Sequence, residues 1–581
     1  MKKIKYSILL LFLISFGCQD FLDKEPLDII SDAAVWDDEG LINSYLADLY
    51  FRTDFIELRG NENEQTSLAM IASMGGEGRS FGAHHQSYIA STNVITSSGV
   101  PNELEYWKYY IVRDINYFIE KLQESPLEQE IIDQRIAEAR FLRTYIYFQM
   151  VIRYGGVPII TEAQSIDAPE EVIFVPRNTE KEVYDFIINE TTDLTQILPS
   201  VYGAADKGRP TKWAAFALQS RAALYAASIA KYGQVQLSGL LGFPASDAEN
   251  YAQISYDASK AIINNGIHSL YKVESEPDRN FQNLFLDESD ANTEVIMSEV
   301  YDYSKNRAHA FTLRSMTHDH NGTWASMLYI YDFIERFEFA DGSPGNSISR
   351  AELTSQEWSS DELFGSRDPR FKASVFYPES PWQGGKAYFH SRTVRDGETY
   401  TGGTAEDGWP YAAVQRNTVR TGLMVKKRCN ENLMTEPVIN DDTDYIIFRL
   451  GETYLNLAEA AFYLGHTSEA LEVLNRLRER ADMPPKDEIT IETIQNERLV
   501  ELTWENHSYW DLRRWRIAKD VLDGVRLKGL QYTYNYNTKK YIIALINAEG
   551  VARTFLDRNY YLPLGVNRVA ENPNFVENPG Y

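Results

Sequence analysis

Apolar residues recur at three- and four-residue steps along much of the chain, a spacing that places them on one face of a helix. This spacing predicts helices over residues 32–50, 132–153, 179–198 and 211–232. Behind Asn102, a plausible N-cap, a further stripe is formed by Leu104, Trp107, Ile111, Ile115, Phe118 and Leu122. Helices therefore follow helices, and we expect a mainly α fold.

Two segments have the residue sizes of helical repeats. In residues 211–232, small and large side chains alternate at Ala214, Ala217, Arg221, Ala222 and Tyr225. In residues 450–483, tetratricopeptide positions are occupied by Tyr454, Leu457, Ala458, Gly465, Ala470 and Leu474, although Ala461 replaces the usual tyrosine. We predict a tetratricopeptide-like helical repeat scaffold with a right-handed stack.

Two stretches lose this periodicity. Residues 56–101 are rich in glycine and predict a long exposed loop region, and residues 268–444 mix glycine, tryptophan, tyrosine and isolated polar residues. We therefore divide the chain into an N-terminal helical region, 31–267, and a C-terminal region, 268–581. The latter comprises a loop-rich, irregular ligand-binding part (268–444), a helical part (445–525) and a terminal segment (526–581).

The first residues predict a secreted lipoprotein. Three lysines precede the apolar run 7–16, which is too short to span a bilayer but suits a signal peptide over residues 1–17. Cys18 ends this run and has no obvious packing use, so we expect it to carry lipid, with residues 18–30 as a tether. An ordinary secretory signal is the alternative, and the bulky Phe16 leaves the cleavage position open.

Charge and cysteine content narrow the function. Loss of the three leader lysines would take the formal net charge from −27 to −30, which disfavours binding to nucleic acid or to anionic lipid surfaces. The chain has two cysteines, so if Cys18 carries lipid then Cys429 has no partner and no disulfide framework exists. Stability must come from a packed core, which 44% hydrophobic residues can supply.

A charged amphipathic stretch lies near the C-terminus. A helix would place Ile491, Ile494, Arg498, Leu502, Glu505 and Tyr509 on one face. Glu497, Glu501 and Glu505 then stand within one turn of Arg498 or of each other. Carboxylates at this spacing could act as general acid and base. We favour a structural ion-pair network, because nearby arginines would keep the carboxylates ionised.

Several segments, in order along the chain, resemble the SusD/RagB family of outer-membrane nutrient-binding lipoproteins. They are AEARFLRTYIYFQMVIRYGGVP (137–158), FEFADGSP (337–344), RDPRF (367–371), ER-x-x-EL-x-x-E followed by WDLRRW (497–515), YYLPL (560–564) and ENPGY (577–581). The resemblance implies a noncatalytic protein without a cofactor, anchored on the outer face of the outer membrane. It also implies a partner, a SusC-like TonB-dependent transporter, and an oligosaccharide ligand or, as in RagB-like members, a peptide. A helical glycoside hydrolase is a more distant alternative.

Candidate ligand contacts come from the irregular stretches, since sugars stack on aromatic rings and hydrogen-bond to polar side chains. They are His84, His85, Tyr88 and Asn93 in the first stretch and Trp324, Trp382, Trp409 and Tyr411 in the second. For each aromatic residue taken singly, a place in the core is the more common use. We expect at least one of the set to contact ligand.

Metal binding is not predicted. His318 and His320 could face one side of a strand, and Asp441, Asp442 and Asp444 could offer oxygens to calcium, but neither group is a complete ligand set. The chain also has no phosphate-binding glycine loop, H-E-x-x-H motif or G-x-S-x-G elbow.

Overall fold

The computed structural model describes residues 35–55, 70–80, 82, 86–98, 104–165, 167–316, 326–402, 419–433 and 440–581. The predicted signal peptide, Cys18 and the tether lie outside these ranges. So do His84, His85, His318, His320, Trp324, Trp409 and Tyr411.

Helices dominate the described chain. They are α1 (Glu39–Thr53), α2 (Met70–Met74), α3 (Gln86–Thr92), α4 (Tyr109–Gln123), α5 (Gln129–Tyr154), α6 (Glu170–Ile173), α7 (Glu180–Ile197), α8 (Lys212–Tyr232), α9 (Ala248–Ile263), α10 (Pro277–Asn283), α11 (Phe311–Ser315), α12 (Tyr331–Ile334), α13 (Arg350–Ser355), α14 (Ser360–Phe364), α15 (Pro369–Ser374), α16 (Leu450–Tyr463), α17 (Thr467–Arg480), α18 (Ile491–Glu501), α19 (Ser508–Arg514), α20 (Ala518–Leu522) and α21 (Val566–Glu571).

The strands are short and lie mainly in the irregular stretch and near the C-terminus. They are β1 (Gly78–Ser80), β2 (Val295–Glu299), β3 (Met327–Tyr329), β4 (Glu357–Trp358), β5 (Val375–Phe376), β6 (Pro381–Trp382), β7 (Gly385–Lys386), β8 (Arg392–Arg395), β9 (Glu398–Tyr400), β10 (Met424–Val425), β11 (Tyr445–Arg449), β12 (Lys528–Asn535) and β13 (Lys540–Asn547). They form sheets in the orders β1-β3-β10-β5, β11-β2, β4-β13-β12-β8-β9 and β6-β7.

The long helices form one stack. Along it, α4 packs on α5, α5 on α7, α7 on α8, α8 on α9, α9 on α16 and α16 on α17. Local signals fix the helix ends: Thr179 and Glu182 form a capping box at the start of α7, and Gly155, with φ of 72°, ends α5. The mainly α, tetratricopeptide-like prediction is confirmed, and the bounds of α5, α7 and α8 agree with the predicted ones to within a few residues.

The irregular stretch interrupts this stack in sequence but not in space, because α9 contacts α16 directly. Residues 264–449 therefore form an insertion between two neighbouring helices. The insertion builds a second apolar core, which includes Phe337, Phe371 and Trp382 and which the β12–β13 hairpin helps to cover.

Residues 70–80 contradict the exposed loop predicted for 56–101. Among the described residues of this stretch, 71–75 and 77–80 are buried, in α2, a turn and β1. The glycines serve close approach rather than flexibility: a Cβ on Gly75 would lie 2.0 Å from Ser508 Oγ, and one on Gly78 would lie 2.1 Å from the Leu328 carbonyl oxygen.

Two helix predictions also need correction. The helix predicted from Leu104 begins only at Tyr109, so Leu104 and Trp107 precede it. The helix predicted through Tyr509 ends at Glu501 and resumes at Ser508. Trp504 and Asn506 between them have φ of 56° and 65°, which a helix does not allow.

In the part of the chain that the structure describes, we find no helix that is both long and apolar enough to cross a membrane.

Candidate functional site

The carboxylates near the C-terminus form a buried ion-pair network. Glu501 has no exposed surface, and its two oxygens accept from Arg370 (3.0 Å), Arg449 (2.7 Å) and Arg480. Although burial alone would raise the pKa of Glu501, these three guanidinium groups hold it well below its usual value.

The carboxylates of Glu505 and Glu497 are likewise kept ionised by neighbouring cations. Burial opposes ionisation of Glu505, but Arg449 and Lys427 lower its pKa to about 2. Glu497 pairs with Arg370 and Arg478, and its pKa is likewise lowered against the effect of burial. Carboxylates that are buried, ionised and saturated with donors cannot exchange a proton with a substrate near neutral pH. This arrangement supports the ion-pair interpretation over a catalytic pair.

One detail of that interpretation is wrong. Arg498 does not pair with Glu501 or Glu505: its Nε donates to Asp511 at 2.8 Å and its Nη1 to the Asn456 side-chain oxygen at 2.8 Å. The cations for the glutamates come instead from distant segments. Because helix spacing reports only neighbours within one helix, the sequence could not identify these partners.

Two of the described candidate contacts, Tyr88 and Asn93, lie on and beside α3. Tyr88 is half-buried, and the Arg79 guanidinium lies 5.6 Å from its ring centre. Arg79 itself is buried, and its Nε donates to the Ser80 carbonyl oxygen at 2.8 Å. Burial lowers the pKa of Arg79, while the nearby carboxylate of Glu549 opposes the shift. We call Arg79 and Tyr88 the Tyr88 surface.

The C-terminal segment holds α3 in place. The Thr554 amide donates to the Ser91 carbonyl oxygen at 2.9 Å, and Arg553 donates to Gly78 and Ser73 carbonyl oxygens at 3.0 and 2.8 Å. Tyr88 therefore lies on a supported helix rather than in the predicted loop. Asn93, exposed at the end of α3, is roughly 140° around the helix axis from Tyr88. The structure does not bring these two side chains to one helix face.

Trp382 is not available for stacking in this structure. It is 1% exposed and packs edge-on against Phe376, with ring centres 5.0 Å apart. A tryptophan enclosed in this way is a core residue, so we remove Trp382 from the candidate contacts.

The three aspartates considered for calcium are engaged by protein donors. Asp441 accepts from Thr312, Asp442 from the Tyr303 amide and Asp444 from the Tyr301 amide. Across the described ranges, no three histidine, cysteine, aspartate or glutamate side chains are arranged to hold a metal ion. Cys429 is buried and unpaired, and burial raises the pKa of its thiol to about 12.

Two contributors to the Tyr88 surface were missed by sequence reasoning. The Arg79 guanidinium packs against the ring of Tyr88. Gly550 lies near the Tyr88 hydroxyl group, since a Cβ on Gly550 would be 3.5 Å from the Tyr88 oxygen. Gly550 is far from Tyr88 in sequence. The two are brought together only by the docking of the C-terminal segment, for which local patterns carry no signal.

Comparison with known proteins assigns the chain to a family. Residues 293–581 match the model of the SusD family, and residues 20–224 match a model described as starch-binding and associating with the outer membrane. The SusD-like protein P25 of Formosa agariphila is 24% identical over 577 residues, covering 94% of this chain and 95% of the relative. The starch-binding protein SusD of Bacteroides thetaiotaomicron is 25% identical, covering 82% of this chain and 78% of the relative.

A solved structure has the same fold. A SusD-like protein from Bacteroides fragilis superposes with a TM-score of 0.74 at 24% identity, covering 96% of this chain and 100% of that one. The family matches lie on both sides of the insertion's start and together span most of the sequence. The chain belongs to the SusD family.

Proposed function

We propose that this protein is a noncatalytic cell-surface lipoprotein that binds an oligosaccharide or polysaccharide and delivers it to a SusC-like TonB-dependent transporter in the outer membrane. Its family membership and the starch-binding relative support a glycan ligand. The observation that carries the proposal is Tyr88, a partly exposed aromatic ring on a fixed helix.

The Tyr88 ring is suited to stacking against a sugar. The Arg79 guanidinium supports the ring, and the buried guanidinium is fixed by carbonyl oxygens of Ser80 and Ala548. A ring held in this way loses little conformational freedom on binding, so a stacked sugar keeps more of the contact free energy. Asn93 has an exposed amide that can hydrogen-bond to sugar hydroxyl groups.

The pairing of β1 with β3 supports three of the other candidates, His84, His85 and Trp324. Ser80 pairs with Met327, so the chain leaves β1 and enters β3 at the same end of the sheet. In the sequence, His84 follows Ser80 by four residues and Trp324 precedes Met327 by three. We propose that His84, His85 and Trp324 share one binding region with Tyr88. Trp409 and Tyr411 remain candidates from composition alone.

Glycan binding can be tested with one matched pair of variants. Tyr88→Ala should weaken the best-binding glycan by ~1–2 kcal/mol, the scale of a lost stacking contact, without lowering the melting temperature. Tyr110→Ala removes a tyrosine that is 56% exposed on α4 and should leave binding unchanged. Equal affinity for both variants in calorimetric titration would contradict the placement of the site.

Catalysis and peptide binding have direct assays. Sustained release of reducing ends from the bound polysaccharide by purified protein would favour the hydrolase alternative. A parallel screen against casein-derived peptides tests the RagB-like alternative, in which Tyr88→Ala would weaken a peptide instead of a glycan.

Lipid anchoring of the protein and delivery of the glycan to the transporter have to be tested in the native membrane. Cys18→Ser should abolish acyl labelling and release the protein from the membrane fraction. If the protein binds the transporter, their contact should bury well over ~1,000 Å² of surface. A SusC-like β-barrel should therefore co-purify with it in mild detergent. Recovery of free monomer alone from cells that express both proteins would count against delivery.

A further inference from the structure

A groove with a volume of about 800 Å³ lies between the α7–α8 loop and residues 284–298. This volume is within the range of ~300–1,000 Å³ that is typical of ligand sites. None of the residues of the Tyr88 surface lines it. We call it the α7–α8 groove, and it has no role in the glycan site proposed above.

One lip of the groove is acidic. It is formed by Asp287, Glu288 and Asp290, and in the described chain no lysine or arginine forms an ion pair with any of these three. Partial burial, with the Asp444 carboxylate nearby, raises the pKa of Glu288. The charge of Lys207 opposes this shift of Glu288 without abolishing it, so a bound cation would stabilise the lip further.

The rest of the groove is mostly apolar. Val201, in the α7–α8 loop, is 65% exposed and Ile267 is 38% exposed, whereas Leu284, Phe285 and Met297 line the groove as buried side chains. Acidic residues and exposed apolar side chains that line one groove suit a ligand that carries both a cation and an aliphatic stem. Among the described lining residues, Tyr202 is the one partly exposed tyrosine, tryptophan or phenylalanine, so the groove offers little surface for stacking sugars.

The chain already places an ammonium group in this groove. The Lys207 Nζ lies 2.8 Å from Asp444 Oδ2 and donates to the Glu288 carbonyl oxygen at 3.1 Å. The backbone is fixed beside it, because Gly208, with φ of 89°, lies against Val300. The Lys207 side chain is 42% exposed, and ion pairs of this kind contribute little to stability. The Lys207 Nζ thus occupies a position that suits an ammonium group, and the ammonium group of a ligand can displace it.

The groove wall also contains hydrogen-bond acceptors without donors. Asn292 is buried and donates to the Leu284 and Asp287 carbonyl oxygens, but its own Oδ1 has no donor in the described chain. His268 bonds through Nδ1 to the Thr293 carbonyl oxygen, and its Nε2 is likewise without a partner there. Burial lowers the pKa of His268, which keeps Nε2 an acceptor. A ligand rich in N–H donors could satisfy both atoms after a small side-chain movement.

We propose that the α7–α8 groove binds a short basic peptide segment. A lysine ammonium of the peptide takes the Lys207 position near Asp444 and the acidic lip, its aliphatic stem lies against Val201 and Ile267, and backbone N–H groups turn toward Asn292 and His268. A second copy of this chain fits less well, because a surface of formal charge −27 repels its own acidic groove.

The test uses the full chain and the fluorescently labelled peptide Lys-Leu-Lys-Val-Lys at physiological salt. The double variant Glu288→Gln/Asp290→Asn removes two exposed charges from the lip and should weaken binding about tenfold, the scale of one good charge pair. Glu249→Gln/Asp257→Asn removes two exposed charges of α9 outside the groove and should change affinity less than about twofold. Lys207→Met removes the internal competitor and should strengthen binding severalfold.

Each remaining result decides against the proposal. No binding to the wild type, an equal loss in both double variants, or equal binding of the Nε-acetylated peptide would each overturn it. Loss of glycan binding in the lip variant would assign the groove to glycan instead. Because Tyr88→Ala should leave peptide affinity in the groove unchanged, the glycan proposal and this one can fail separately.

Discussion

At the scale of single residues, Glu77 is a buried carboxylate with incomplete compensation. Its Oε2 accepts from the Trp504 amide at 2.5 Å and from Thr503 at 3.2 Å, and the side chain has no exposed surface. Burial raises its pKa to about 7, although the Trp504 amide and the charge of Lys427 oppose the shift. Because the folded pKa is above the unfolded value, ionised Glu77 destabilises the fold.

Glu77→Gln should therefore stabilise the protein in a pH-dependent way. Below about pH 4.5 Glu77 is protonated in both states and contributes no penalty. The penalty grows as pH rises from about 4.5 to about 7 and stays at about 3 kcal/mol above that, from the difference between folded and unfolded pKa values. Urea unfolding at pH 4.5 and pH 8 measures this, and the variant should exceed wild type only at the higher pH. A gain of equal size at both values would show that charge is not the cause.

Arg498 is a second residue whose contacts differ from the pattern. Arg498→Met removes the donors to Asp511 and Asn456 and leaves Asp511 with Arg514 alone, so we expect a loss of about 3 kcal/mol. Arg476→Ala removes an arginine whose side chain is 50% exposed and should change stability by less than about 0.5 kcal/mol. If Arg498→Met melted normally but lost glycan, recognition would have to involve α18.

At the scale of helices and strands, the sequence predicts those features that depend on residues close together in the chain. The helices α5, α7 and α8 follow from apolar spacing and from end signals such as the Thr179–Glu182 capping box. The break after Glu501 does not, because Trp504 takes a left-handed conformation only in its tertiary setting, packed edge-on against Tyr329. The sequence identified Tyr88 as a candidate by its residue type. It could not show that Arg79 packs against the ring, because the position of Arg79 depends on the pairing of β1 with β3.

The glycines just before β1 and at its start show the same limit of prediction from sequence. In sequence they indicate a flexible loop, yet Gly78 lies where a Cβ would be 2.1 Å from the Leu328 carbonyl oxygen and 2.6 Å from the Trp504 ring. Gly78→Ala should push β1 away from β3 and destabilise the protein by about 3 kcal/mol. Gly203→Ala, where nothing lies within 4 Å and φ is −71°, should be neutral or slightly stabilising. Thermal melts of the two variants measure the difference, and equal melting temperatures would refute close packing at Gly78.

At the scale of the whole molecule, the ion-pair network joins the insertion to the helical stack. The insertion contributes Glu294, Asp368, Arg370, Lys427 and Arg449, and the helical part contributes Arg478, Arg480, Glu497, Glu501 and Glu505. The predicted division places four of these residues in the loop-rich part (268–444) and the other six, Arg449 among them, in the helical part (445–525). Only the three-dimensional arrangement shows that charges from both sides neutralise one another in one buried cluster.

This shared network predicts that the insertion and the helices unfold together. Arg370 pairs with Asp368 inside the insertion and with Glu497 and Glu501 on α18, so Arg370→Met strands carboxylates on both sides and should cost about 3–5 kcal/mol. Differential scanning calorimetry should show one transition that moves as a whole to lower temperature. Among the described residues, Arg350 pairs with Asp332 and Glu335, both within the insertion, and Arg350→Met should shift the same transition by less than about 1 kcal/mol. A separate early transition in Arg370→Met, with the remaining one unchanged, would instead show that the insertion and the helices fold independently.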